Sequence, residues 1–204
     1  MQEDIDTYKT LKLPSQGIFK DKGSKFLAFA YPVYTENEIK IHLLHLRKEY
    51  FDARHHCYAY ALGRNREVYR TFDDGEPSGT AGKPIYGQIL STGLTNVLII
   101  VVRYFGGVKL GVGGLISAYK LAAEEALNKA IIIEKEVTEP INLVYSYSAT
   151  PEVMRLVKEY DLNILQQHFD TECVLLSEVK IRYKAGLLEK IALLQATGHE
   201  VRID

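Results

Sequence analysis

Residues 97–130 constrain this chain more than any other stretch. Val97 to Tyr104 is a continuous apolar, β-branched run, the pattern of a buried strand. Phe105 to Gly114 then holds five glycines, and Leu115 to Ala130 reads as a helix with Leu115, Tyr119, Ala122, Ala126 and Ala130 on one face. The start of such a helix offers free backbone N–H groups at the positive end of its dipole, which suit an anion. Glycine lets a ligand approach the backbone closely, and Arg103 and Lys109 add positive charge. The same glycines suit a tight turn and close helix–sheet packing, so both readings stand at this point. The stretch is neither a Rossmann fingerprint nor a P-loop. No Gly-Lys-Ser/Thr follows the glycines, and no acidic residue lies at the expected downstream distance.

Upstream, Gly17–Lys20 and Lys25–Val33 flank the turn-forming Asp21-Lys22-Gly23-Ser24 and predict a β-hairpin. Thr35 with Glu38 three residues on forms a capping box. Ile39, Leu43, Leu46 and Tyr50 then recur at helical spacing. His55–Leu62 and Glu67–Phe72 read as two strands, and a short helix is expected from about Lys83 to Leu90. Around Ile131 to Glu139 the pattern restarts, which places a domain boundary there, in a strand end or short linker. Residues 1–137 and 138–204 are the two expected domains. The second reads strand Ile141–Ser148, helix Thr150–Tyr160, strands Leu162–Phe169 and Glu172–Tyr183, helix Ala185–Ala196, strand His199–Ile203. That is βαββαβ, the ferredoxin-like order, with an antiparallel sheet under two helices. The fold class is therefore α+β.

The second polar segment, Asp73 to Gly82, packs three carboxylates, two hydroxyls and three glycines into ten residues. Asp73, Asp74 and Glu76 are oxygen ligands in type, but their spacing is not that of an EF-hand, so a loop of turn formers is favoured over a metal site. On a strand, His55 and Cys57 share one side and His56 takes the other. One His and one Cys do not complete a zinc site. A Cys–His nucleophilic pair needs an oxyanion donor that the sequence does not supply. No metal and no cofactor are expected.

Net charge is −1 over 204 residues, which removes a whole-molecule attraction to nucleic acid and leaves only local basic clusters. The two cysteines, Cys57 and Cys173, are far apart, so a disulfide framework is not suggested. The N-terminus is acidic and polar, without a signal-peptide core. The longest apolar run, Val97–Val102, falls far short of the ~20 residues a membrane span needs. A cytoplasmic location is expected.

The combination Ala53-x-His55, DDGEPSGTAGKP at 73–84 and VVRYFGGVKLGVGGLISAY at 101–119 resembles the YigZ/IMPACT family over about residues 14–130. The resemblance implies an N-terminal domain like the second domain of ribosomal protein S-five, a mixed sheet with helices on one face. It implies a C-terminal domain similar to domain five of elongation factor G. The resemblance implies regulation of translation initiation by binding, not catalysis, in eukaryotic members, which carry an extra partner-binding domain that is not expected here, so their partner is not carried over. The expected function is a non-enzymatic regulator linked to translation, with a ribosome, RNA or a translation-associated protein as partner. The expected binding residues are Arg103, Tyr104, Gly106, Gly107, Lys109, Gly111, Gly113 and Gly114, with Asp73, Asp74, Glu76, Ser78, Gly79, Thr80, Gly82, Lys83 and His55. The alternative is an enzyme acting on a phosphorylated or anionic small molecule, with the glycine turn holding the anion and His55 with Asp74 or Glu76 moving protons. A blander reading keeps both motifs for packing alone.

Overall fold

The computed structural model describes residues 6–204. The first five, which the sequence reading assigns to the N-terminal domain, lie outside them. The chain forms two compact units. One runs from Tyr8 to Lys135, and the other takes in Glu136–Asp204 with Asp6 and Thr7.

The first unit is built on a five-stranded sheet. Its strands, in the order β2-β3-β6-β4-β5, are β2 (Ser15–Asp21), β3 (Ser24–Pro32), β6 (Val97–Tyr104), β4 (His55–Leu62) and β5 (Val68–Phe72). Every neighbouring pair is antiparallel. Side chains alternate between two apolar faces. Phe26, Ala28 and Ala30, Cys57, Ala59 and Ala61, and Val97, Ile99 and Val101 form one face, packed against α2 (Gly82–Ser91) and α3 (Gly111–Asn128). Leu27 and Phe29, Tyr58, Tyr60 and Leu62, and Leu98, Ile100 and Val102 form the other, covered by α1 (Glu36–Glu49). The α+β class holds. Two details differ from the expectation of a mixed sheet with helices on one face: the sheet is antiparallel, and helices cover both faces. The physical reason is that β3, β4 and β6 carry apolar side chains on both sides, and neither side can be left to water.

The small residues of β3 and β4 let α2 and α3 lie close. Gly17 does the same on β2, because a Cβ there would stand 2.3 Å from the Ala126 nitrogen of α3. The Ser15 hydroxyl donates to the Ala126 carbonyl at 2.9 Å and pins the contact. Half of the expected capping box at α1 forms: the Glu38 N–H donates to Thr35 Oγ1 at 3.2 Å, while the Glu38 carboxylate accepts from the N–H of Tyr34, one residue before the cap, at 2.7 Å. β1 (Thr7–Leu11) and β7 (Ile132–Glu136) pair as a separate ribbon. Neither strand stands out in the sequence pattern. Both are short, and each carries charged residues that mask its alternation.

The second unit holds β8 (Thr138–Tyr145), α4 (Thr150–Glu159), β9 (Asn163–Phe169), β10 (Cys173–Lys180), α5 (Ile181–Ala196) and β11 (Val201–Ile203). The sheet order is β11-β8-β10-β9, all pairs antiparallel, which is the ferredoxin-like arrangement. Val153 and Leu156 of α4 and Leu187 and Ile191 of α5 pack on Ile141, Leu143, Leu175 and Val179. No described helix is long and apolar enough to cross a membrane.

Candidate functional site

The two long motifs meet. Glu76 and Pro77 from the 73–82 loop stand opposite Arg103, Phe105, Lys109, Leu110, Gly111, Val112 and Leu115, around a cleft of about 360 Å³. The start of α3 forms one wall. The helix begins at Gly111, earlier than the expected Leu115, so Gly111, Gly113 and Gly114 belong to its first turn rather than to a preceding loop. Its cap residue, Leu110, supplies no side-chain hydrogen bond, and its first turn contains no acidic residue. The N–H groups that an N-cap would satisfy are therefore open to a ligand.

The glycines divide by role. Gly106 serves packing: a Cβ there would lie 1.9 Å from the Gly23 carbonyl carbon. Gly107 and Gly111 adopt φ of +87° and +72°, a region that favours glycine. Gly114 packs on Leu110. Gly113 is exposed, needs no unusual φ, and meets nothing within 4 Å.

The acidic loop is knitted together by its own carboxylates. Asp73 accepts from the N–H groups of Gly79, Ala81 and Gly82 at 2.8, 3.0 and 2.8 Å, and so supplies at the start of α2 the anion that α3 lacks. Burial works to raise the Asp73 pKa, but these three N–H groups outweigh it and hold it below the usual carboxylate range. Asp74 adopts a φ of +45° and accepts from the His56 N–H at 2.7 Å and from Arg47 at 3.2 Å. The Glu76 side chain is 4% exposed and its Oε1 accepts from Arg103 at 2.6 Å and from the Tyr119 hydroxyl at 2.8 Å. No cluster of three metal-ligating side chains occurs among the described residues.

Arg103 is buried between Phe26 and Phe105, with its guanidinium carbon 5.4 and 5.7 Å from their ring centres. One nitrogen is taken by Glu76 and another reaches Ser24 Oγ at 3.5 Å, yet its Nε–H is buried without a partner. His55 Nδ1 donates to the Asp74 carbonyl at 2.8 Å, and its Nε2 stands 3.9 Å from Glu76 Oε1. The Cys57 thiol donates to the Asp73 carbonyl at 2.9 Å and lies 3.3 Å from the Tyr119 hydroxyl. Burial pushes its pKa well above the ordinary thiol range. Cys57 is thus a structural thiol rather than the nucleophile of a Cys–His pair.

Arg103, Lys109, Gly111 and Glu76 line the cleft. Ser78 and Lys83 are exposed on the loop and at the start of α2. Thr80 is buried, its hydroxyl donated to the Pro77 carbonyl. Gly79 serves a φ of +77°, and a Cβ on Gly82 would meet the Phe72 nitrogen at 2.6 Å. Tyr104 points to the opposite face of the sheet, where its hydroxyl donates to Asp52 at 2.7 Å and its pKa is pushed up to about 12. Strand alternation separates it from Arg103. Sequence reading missed Tyr119, Ser24 and Phe105. Tyr119 did carry a signal: a tyrosine among the alanines of a core helix face needs a partner for its hydroxyl. Ser24, in a turn, carried none.

These features define a two-unit α+β protein with a cleft at an uncapped helix start. The Impact N-terminal domain matches residues 22–127 of the chain. IMPACT family member YvyE of Bacillus subtilis is 31% identical over 165 residues, 81% of this chain and 76% of its own length. A Thermus thermophilus IMPACT family member is 48% identical over 107 residues, 52% of this chain and 56% of its own. The chain belongs to the IMPACT family. A crystal structure described as that of a hypothetical protein superposes with a TM-score of 0.76 at 26% identity, covering 98% of this chain and 97% of the other.

Proposed function

We propose that the protein is a non-catalytic, cytoplasmic regulator linked to translation that binds RNA phosphate, on a ribosome or on free RNA, at the start of α3. One observation carries the reading: the uncapped first turn of α3 shares a cleft with Arg103 and with Lys109, which forms no ion pair among the described residues. Unsatisfied N–H donors beside a free cation suit an anion. The family supports the link to translation, since the resemblance implies regulation of initiation by its eukaryotic members. The engaged state of the loop carboxylates supports binding over proton transfer, because Asp73, Asp74, Glu76 and His55 are each committed to hydrogen bonds within the loop or between it and the neighbouring strands. In this reading Arg103, Lys109, Gly111 and Gly113 meet the phosphate. The loop residues, with Gly106, Gly107 and Gly114, shape the cleft.

The test is binding of ribosomes and of short fluorescent RNAs across a salt series. Affinity should fall linearly on logarithmic axes, with a slope of about −0.7 per phosphate contacted on a single strand. Lys109→Gln should reduce that slope by about 0.7. An absence of binding at low salt would overturn the reading. A salt-insensitive capture of a translation-associated protein would move the partner to protein. Thermal shifts with nucleotides and metabolite phosphates that vanish in Arg103→Ala would favour a small-molecule enzyme instead.

A further inference from the structure

The face of the sheet away from the glycine turn carries a second recess. α1 covers β3, β6 and β4 but leaves the outer row of β5 uncovered, so a groove of about 320 Å³ opens along the helix flank. Its floor is Leu43, Tyr58 and Phe72, with Leu44, 69% exposed, on the helix side. Lys40 and Arg70 stand at its rim, and neither forms an ion pair among the described residues. Arg47, also on the rim, is held by Asp74 at 3.2 Å. The nearby Glu36 is committed to the Tyr60 hydroxyl at 2.8 Å. The groove thus combines apolar surface with positive charge that its own acidic neighbours do not neutralise.

We infer that this groove docks an acidic, amphipathic peptide segment of a partner protein, with Leu or Phe side chains on the floor and carboxylates on Lys40 and Arg70. Charge complementarity selects the acidic partner, and the apolar floor of Leu43, Tyr58 and Phe72 selects an apolar anchor. Single-stranded nucleic acid fits less well. Stacking needs free aromatic faces, but Tyr58 is buried and Arg70 lies over the Phe72 ring, 5.9 Å from its centre. The groove also adjoins the glycine-cleft motif in structure: Asp74, through which Arg47 is held, follows Asp73 in the same loop. This inference does not depend on RNA binding at α3.

The experiment is selection of a random peptide display library on the immobilised full chain, counter-selected against the Lys40→Glu/Arg70→Glu variant. The expected winners carry Asp or Glu beside Leu or Phe. They should bind the parent chain at least about tenfold more tightly than the variant, and lose affinity for Leu44→Ser. All three substituted side chains are exposed, so the variants should melt like the parent. Winners without acidic residues, winners that bind both chains equally, or no winners at all would overturn the inference. So would a short oligouridine whose binding is abolished by the double charge reversal but not by Lys109→Gln, since that would place nucleic acid in the groove.

Discussion

Taking the carboxylate from Glu76 would leave the Arg103 guanidinium buried between Phe26 and Phe105 with its charge uncompensated. Breaking a buried pair in this way costs about 3–5 kcal/mol. Glu76→Ala should therefore lower the urea-denaturation free energy by that amount. A loss under about 1 kcal/mol would mean that water reaches Arg103 and compensates its charge. His56 sets a second expectation at this scale. Burial lowers its pKa, Asp74 opposes that shift, and its Nε2 is buried without a partner. Its folded pKa lies below the ordinary 6.5, so its stabilising contribution is whole above pH 6.5 and is lost as pH falls toward the folded value. His42 shifts in the same direction through burial. Urea midpoints should fall on acidification below pH 6.5, and His56→Gln should flatten part of that slope. An unchanged slope in the variant would assign the dependence to other groups. Asp73 adds a further loss only below its ordinary 3.8.

At the level of elements, the glycine turn separates packing from binding. Gly106→Ala should cost about 3 kcal/mol, because its Cβ would press on the Gly23–Ser24 backbone rather than on a movable side chain. Gly113→Ala should do the reverse and stabilise α3 by about 0.5–1 kcal/mol, since it lies within a helix in open space. Thermal melts of the two variants check both signs. The turn's position between strand and helix was legible in residues 97–130, because an apolar β-branched run and a spaced Leu/Tyr/Ala face have different periods. Its internal division was not legible. Five glycines look alike in sequence, and only the approach of Gly23 to Gly106 or a φ of +72° at Gly111 tells them apart. The same limit explains Tyr104. Its motif neighbours are on the cleft side, but strand alternation sends it to the α1 face. The two-sided sheet was written in β3, β4 and β6, where alternate positions are apolar on both faces. That pattern is easily mistaken for a single buried run.

Across the whole molecule, a net charge of −1 means that any attraction to RNA is local, and the N-terminal unit presents two chemically different recesses on opposite faces of one sheet. The acidic loop touches both: Glu76 lines one, and Asp74 holds Arg47 at the rim of the other. The central claim is that the open N–H groups of α3 are there for a ligand. The most direct test is the affinity of the Gly113→Ala chain for a short RNA at low salt, measured on protein whose increased stability has been verified. At least about a tenfold loss of affinity is expected in this more stable protein, because the new methyl group crowds the first turn whose N–H groups are assigned to the phosphate. An affinity equal to that of the parent chain would contradict this assignment.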